Sequence, residues 1–434
     1  MKTTLALVGL AHPFEVGYDQ AETLLSKTAR ALENEGAAVL DSGVVMHDLE
    51  TVRKAAAFLK GSDADALVVC IATWSEDHHL LDLLSDVTLP IILRAYPARD
   101  TGSLCCAHQI GAVFTDIGKT YECVYAEPDD PDAAKKTMAI AVPYALAGKM
   151  AHARVGAIGG RVKGMTEIAY DEFAIKEKLG ARVVNLDEKE MTDKVAAMGD
   201  GEAKALLETL RPRLSRCAIL STEDALLESV KYYAALKSLA EEYELTALSV
   251  KCYTTYMGKV CLAYSLLEEE GISCACEGDV TNALTMELLR HLSGKAVNNT
   301  DLLYPDEEKN TILFAHCGSS GFSIADGKIE LAPVRLADSG VCCRFTVMPG
   351  TVTAVNLCGH GETFRLSCMV GQALPCGMEF PGNPTVIRFQ KPVGEICDWI
   401  LRNGIGHHWM IGYGDFSEIL RRFCEIQKIR CHML

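Results

Sequence analysis

At 434 residues, 49% of them apolar and 23% charged, the chain is long enough for about three ordinary hydrophobic cores. Its 42 lysines and arginines against 58 aspartates and glutamates leave a formal charge of −16, the wrong sign for gripping a phosphate backbone, so nucleic acid is not expected as a partner. Apolar runs such as Ala66 to Thr73 stop after about eight residues, short of the roughly 20 that a membrane helix needs.

The N-terminal Met1-Lys2-Thr3-Thr4 leads into a short apolar run and His12-Pro13 with no small-residue cleavage site, which predicts a strand and not a signal peptide. A cytoplasmic location is expected. The 18 cysteines include no Cys-x-x-Cys pair. Cys105-Cys106 and Cys342-Cys343 read as strand neighbours pointing to opposite faces, a poor arrangement for chelating one ion. Reduced, buried thiols are expected.

Apolar runs at Leu5 to Leu10, Ala37 to Leu40, Ala66 to Thr73 and Pro90 to Leu93 alternate with amphipathic stretches at Gln20 to Glu35 and Leu49 to Lys60. The pattern predicts a parallel-sheet α/β domain over residues 1–150. A second alternating series, with runs at Arg154 to Ile158, Ala181 to Leu186, Ala218 to Ser221, Thr246 to Lys251 and Ile272 to Ala275, predicts another over 151–310. From Thr311 the texture changes. Strands at Thr311 to Ala315, Cys343 to Val347, Thr351 to Leu357 and Thr363 to Met369 surround Pro-Gly and Gly-His-Gly turns, and two helix patterns close the chain. The fold class is α/β: two Rossmann-like domains with parallel sheets, then a β-rich C-terminal domain over 311–434.

Cys276-Glu277-Gly278-Asp279 falls where a strand ends and a helix begins, the edge at which open α/β sheets bind ligands. Asp279 reads as the helix N-cap, and Glu277 as either a loop acid or a site carboxylate. Asp301 follows the helix in a predicted loop, and His316 ends the Thr311 to Ala315 strand before a small-residue loop. His407-His408 opens a strand near the C-terminus, where alternation predicts that only one of the two joins a given site. Two carboxylates and a histidine suit Mn²⁺ or a similar octahedral ion. Gly156-Ala157-Ile158-Gly159-Gly160 lacks the Gly-x-Gly-x-x-Gly spacing, which argues against a dinucleotide-dependent oxidoreductase, and no organic cofactor is expected.

At these residues the sequence resembles the L-fucose isomerase and L-arabinose isomerase superfamily. The similar segments are Arg154 to Arg161, Lys251-Cys252-Tyr253, Cys276 to Asp279 with Ala283 to Met286, the stretch through Asp301, His316-Cys317-Gly318 and His407-His408. The resemblance implies a metal-dependent aldose–ketose isomerase acting through a cis-enediol or enediolate. It implies Glu277, Asp301 and His408 as ligands of Mn²⁺ or another divalent cation, with Glu277 and Asp301 as the acid/base pair. His316 is implied as a ligand of the metal or a residue beside it and is placed with His407 at the substrate, with Trp74 and His108 reaching it from the N-terminal domain of a neighbouring subunit in a homo-oligomer, a trimer or hexamer. The expected substrate is a fucose- or arabinose-like sugar or a C6-modified, possibly anionic hexose. The competing expectation is a sugar-binding protein that keeps the fold without turnover.

Overall fold

In the computed structural model, which describes Met1–Leu434, the chain forms two units, Met1–Gly148 and Lys149–Leu434. The first holds strands β1 (Thr4–Leu10), β2 (Ala38–Met46), β3 (Ala66–Ile71), β4 (Ile91–Ala95) and β5 (Glu122–Tyr125), all parallel in the order β2-β1-β3-β4-β5. Helices α1 (Ala21–Asn34), α2 (Leu49–Lys60), α3 (His78–Asp86), α4 (Ser103–Asp116) and α5 (Pro131–Ala151) connect and follow them. Every residue of β3 is buried, because helices cover both faces of the sheet, and its sequence is correspondingly apolar throughout. Asp48 starts α2 by accepting the Thr51 N–H at 2.8 Å.

Cys105, Cys106 and His108 lie inside α4, and not in a strand or the loop behind one. Cys106, Ile110 and Phe114 recur every fourth residue and are all buried, so the helical period decides the matter. All 18 cysteines are free thiols, and only Cys105 is exposed.

The second unit begins with the parallel sheet β10-β9-β6-β7, built from β6 (Arg154–Ile158), β7 (Arg182–Leu186), β9 (Ala247–Val250) and β10 (Ser273–Ala275). Between these strands run α6 (Glu172–Leu179), α7 (Glu188–Ala197), α8 (Asp200–Leu210), α9 (Glu223–Glu242) and α10 (Cys261–Glu269), and α11 (Val280–Ser293) follows. The short β8 (Cys217–Ile219) leaves the parallel series and pairs with β13 (Ala325–Val334), which pairs in turn with β14 (Ser339–Val347). Three residues with one partner carry no local signal of which sheet they join.

A seven-stranded sheet completes the unit, in the order β15-β18-β11-β12-β17-β16-β19. Its strands are β11 (Asn298–Asp306), β12 (Thr311–Ala315), β15 (Gly350–Cys358), β16 (Arg365–Leu374), β17 (Thr385–Arg388), β18 (His408–Tyr413) and β19 (Arg430–Met433), with α12 (Val393–Asn403) and α13 (Ser417–Ile426) between the last of them. Helix α11 is buried almost all the way round, since it packs on β9 and β10 of the parallel sheet and on β15 and β18 of the large one. Its N-terminus therefore opens where the two sheets meet.

Candidate functional site

The site begins with a turn forced on the chain after β10. Glu277 and Gly278 both take left-handed backbone, at φ +67° and +75°. Gly278 has no alternative: a Cβ there would sit 2.2 Å from the Gly160 carbonyl oxygen. Glu277 pays a conformational cost of about 1–2 kcal/mol for that geometry. It is held there by its N–H, which donates to the Cys252 sulfur at 3.2 Å, and by the Gly278 N–H, which donates to the Val250 carbonyl at 3.0 Å. A buried, side-chain-bearing residue in this conformation at a sheet edge is a marker of function.

Asp279 caps α11 by accepting the Asn282 N–H at 3.0 Å, and its other oxygen lies 2.9 Å from His408 Nδ1. The cap reading is correct and incomplete, because the same carboxylate orients the imidazole. Holding a proton on Nδ1 turns Nε2 toward Glu277 Oε2, 3.1 Å away, and Asp301 Oδ1, 3.6 Å away.

Asp301 and His408 are directly opposed partners on the antiparallel strands β11 and β18, which puts both side chains on one face. Asp301 thus stands on a strand and not in a loop; Asn298-Asn299-Thr300-Asp301 lacks the apolar alternation that marks strands, and pairing on both sides overrides that local preference. Across β11 from the other side, Ala315 of β12 faces Asp301, so His316 emerges just beyond the strand end. Its Nε2 lies 3.9 Å from Glu277 Oε1 and 4.0 Å from Asp301 Oδ1.

His407 also reaches the cluster, with Nε2 4.0 Å from Asp301 Oδ1 and Nδ1 2.8 Å from Glu167 Oε1. The expectation that only one of the pair joins the site is overturned. Strand β18 starts at His408, so the alternation rule does not govern His407, and the two rings pack 3.9 Å apart between centroids.

Within the cluster, acids and imidazoles shift one another. Burial pushes the Glu277 carboxyl up, but the His408 hydrogen bond and the His316 and His408 imidazoles outweigh it and hold the group below its ordinary value. Burial likewise pulls His408 down, while Asp279 and Glu277 more than offset it and raise the imidazole to about 9. His316 is raised in the same way, chiefly by Asp301 against its burial.

Two sets of donors converge within 4.8 Å: Glu277, His407 and His408, and Asp301, His316 and His408. Asp301 Oδ1 is buried without a hydrogen-bond partner, although three imidazole nitrogens lie within 4.0 Å of it. A buried carboxylate oxygen left unsatisfied amid carboxylate and imidazole donors fits a divalent cation. The structure thus brings together Glu277, Asp301, His316, His407 and His408. Trp74 and His108 belong to the first unit, where the Trp74 Nε1–H donates to Gln109 Oε1 at 2.9 Å and His108 is exposed on α4. Sequence reasoning missed the His408-orienting role of Asp279 and the contact of Glu167 with His407. Neither leaves a local signal, since the partners are brought together only by tertiary folding.

No family model matches the chain. A sulfoquinovose isomerase from Alkalicoccus urumqiensis is 23% identical over 84% of the chain and 85% of its own length, and one from Priestia aryabhattai is 21% identical over 92% of each. An L-arabinose isomerase from Clavibacter sepedonicus is 24% identical over 63% of the chain and 58% of its own length. A solved ABC transporter solute-binding protein from Agrobacterium vitis, bound with alpha-D-tagatopyranose, aligns with a TM-score of 0.17, which carries no argument. The sequence resemblance and these homologues agree: the chain is similar to sulfoquinovose isomerases and to an L-arabinose isomerase, which is consistent with an L-fucose/L-arabinose isomerase-like superfamily.

Proposed function

We propose that the chain is a divalent-metal-dependent aldose–ketose isomerase with Glu277 and Asp301 as its acid/base pair. The observation that carries the reading is the convergence of Glu277, Asp301 and His408 around the unsatisfied Asp301 oxygen. Among sugars, the relatives named for sulfoquinovose favour a C6-modified, anionic hexose over a fucose- or arabinose-like one.

Aldose–ketose interconversion moves a proton between C2 and C1 while negative charge builds on two neighbouring oxygens. A divalent ion, Mn²⁺ or a similar cation, held by Glu277, Asp301 and His408 would supply the positive charge that stabilises those oxygens. One carboxylate of the pair takes the carbon-bound proton and returns it to the adjacent carbon, and the other carries the hydroxyl proton. Glu277 is held ionised by its imidazole neighbours and so is ready to accept a proton. Asp279 keeps His408 in the orientation that presents Nε2 to the two carboxylates. His316 and His407 border the same space and are assigned to the substrate.

In this reading the working form is a cytoplasmic homo-oligomer, a trimer or hexamer, in which Trp74 and His108 of one copy serve the substrate of another. The test is a panel of aldoses and ketoses, C6-anionic sugars included, offered to metal-stripped protein with and without Mn²⁺. Turnover that depends on Mn²⁺ is expected. Its absence with every sugar overturns the assignment.

A further inference from the structure

The segment that leaves β6, Gly159-Gly160-Arg161-Val162-Lys163-Gly164-Met165-Thr166-Glu167-Ile168, is fastened to the cluster at both ends. At one end the Gly160 carbonyl packs so tightly on Gly278 that a Cβ there has no room, and the Arg161 Cα would be 3.3 Å from it. At the other, Glu167 holds His407 Nδ1 at 2.8 Å. Val162 and Ile168 are buried and seat the segment, while the residues between them are largely exposed. It lies on the side where the cluster is most open, since His407 and Asp301 are its more exposed members.

Two cations stand on this segment, and both are exposed. Arg161 has only its neighbour's carbonyl, Val162 O at 3.5 Å, and Lys163 has no hydrogen bond or ion pair. Lys251, which follows β9 at the same sheet edge, is by contrast tied to Glu188. Solvated cations are ordinary on a protein surface. These two differ in that the backbone carrying them is pinned at one end to Gly278, the neighbour of Glu277, and at the other to His407, in a chain of net charge −16 with many carboxylates to pair with. A sugar whose C1 and C2 lie at Glu277 and Asp301 must send its far end away from the buried acids, toward the open side. A guanidinium fork and an ammonium there match the oxygens of a sulfonate or phosphate.

We infer that Arg161 and Lys163 form the receptor for an anionic group on C6 of the sugar, and that this segment is what separates C6-anionic from neutral substrates. The inference rests on the isomerase reading above. Its test compares 6-deoxy-6-sulfo-D-glucose, D-glucose 6-phosphate and neutral 6-deoxy-D-glucose as substrates of the Mn²⁺-loaded wild type, Arg161→Ala, Lys163→Gln and the double variant, with circular dichroism to check folding.

Wild type should prefer a C6-anionic sugar, and the two anionic substrates show whether sulfonate or phosphate is the one accepted. The preference in kcat/KM over the neutral sugar should fall about tenfold or more in Arg161→Ala, mostly through KM, and further in the double variant. The wild-type KM for the anionic sugar should also rise with ionic strength, a dependence the double variant loses. An unchanged preference in a folded double variant, equal losses on charged and neutral sugars, or a wild type that prefers the neutral sugar overturns the receptor and leaves the isomerase standing. A wild type inactive on every sugar overturns both.

Discussion

The two parallel sheets place acids and imidazoles at their carboxyl edges in different ways. In the first unit, Glu76 reaches His12 with one oxygen and His79 with the other, at 3.5 Å each, and its side chain is 37% exposed. In the second, Glu277 is 9% exposed in its side chain and meets His408 at 3.1 Å, with Asp301 and His316 close behind. The difference lies in what faces the edge. The β10 edge is met by β11, β12 and β18 of a second sheet, which deliver Asp301, His316 and His408 from positions remote in the chain. A carboxylate at a strand end is buried among imidazoles when an independent sheet supplies the opposing groups.

The largest effect expected from this contrast is at Glu277. Glu277→Gln should lower turnover by about 10²–10⁴-fold and abolish exchange of the C2 proton with solvent, read by deuterium incorporation, while circular dichroism stays unchanged. Retained exchange would shift the base to Asp301. In the first unit, Glu76→Gln should leave that exchange in place.

Asp279→Asn separates the cap from the imidazole partner, because asparagine caps a helix about as well as aspartate. The fold should persist while Mn²⁺ affinity, titrated into metal-stripped protein, falls roughly 10–100-fold. Equal affinity would reduce Asp279 to a cap.

A third prediction concerns a buried acid elsewhere in the second unit. Glu268 of α10 is fully buried, and burial pushes its carboxyl up to about 8 despite the Cys274 N–H that it accepts at 2.7 Å. Its folded value lies above the ordinary 4.5, so the folded state holds a proton that the unfolded state has lost. The stabilisation is full below about pH 4.5 and drains away as pH rises toward 8, at up to about 1.4 kcal/mol per pH unit. Thermal unfolding of Glu268→Gln should therefore show a flatter decline than wild type between pH 5 and 8. Parallel curves would mean that Glu268 is charged in the folded protein. The smallest effect is expected at Trp74: Trp74→Leu should raise KM by about three- to tenfold with little change in kcat. A fall in kcat alone would argue against a substrate contact.

Most of this architecture was legible in the chain. Leu49–Lys60, Arg154–Ile158 and Thr311–Ala315 are elements whose ends match the sequence reading, because caps, glycines and apolar period all agree there. Glu277 was legible for the same reason, standing between a clear strand and a clear helix. Asp301 announced itself only through resemblance, since its own strand is polar at the start and contains Pro305, a residue that argues against a strand in the sequence. The Cys106 helix was hidden by small residues that suit several conformations. The contacts of Asp279 with His408 and of Glu167 with His407 were not legible at all, because no local pattern records which distant residue a side chain will meet.

The opposed register of Asp301 and His408 has a consequence for how the molecule fails. Side chains on a strand alternate between faces, so sliding β11 by one residue along β18 would turn Asp301 away from His408 altogether. No graded misalignment keeps half of the constellation. Activity should therefore be lost all at once, in step with the first loosening of this strand pair, and before the helices report any melting, which would make catalysis a more sensitive gauge of alignment than the bulk spectrum of the protein.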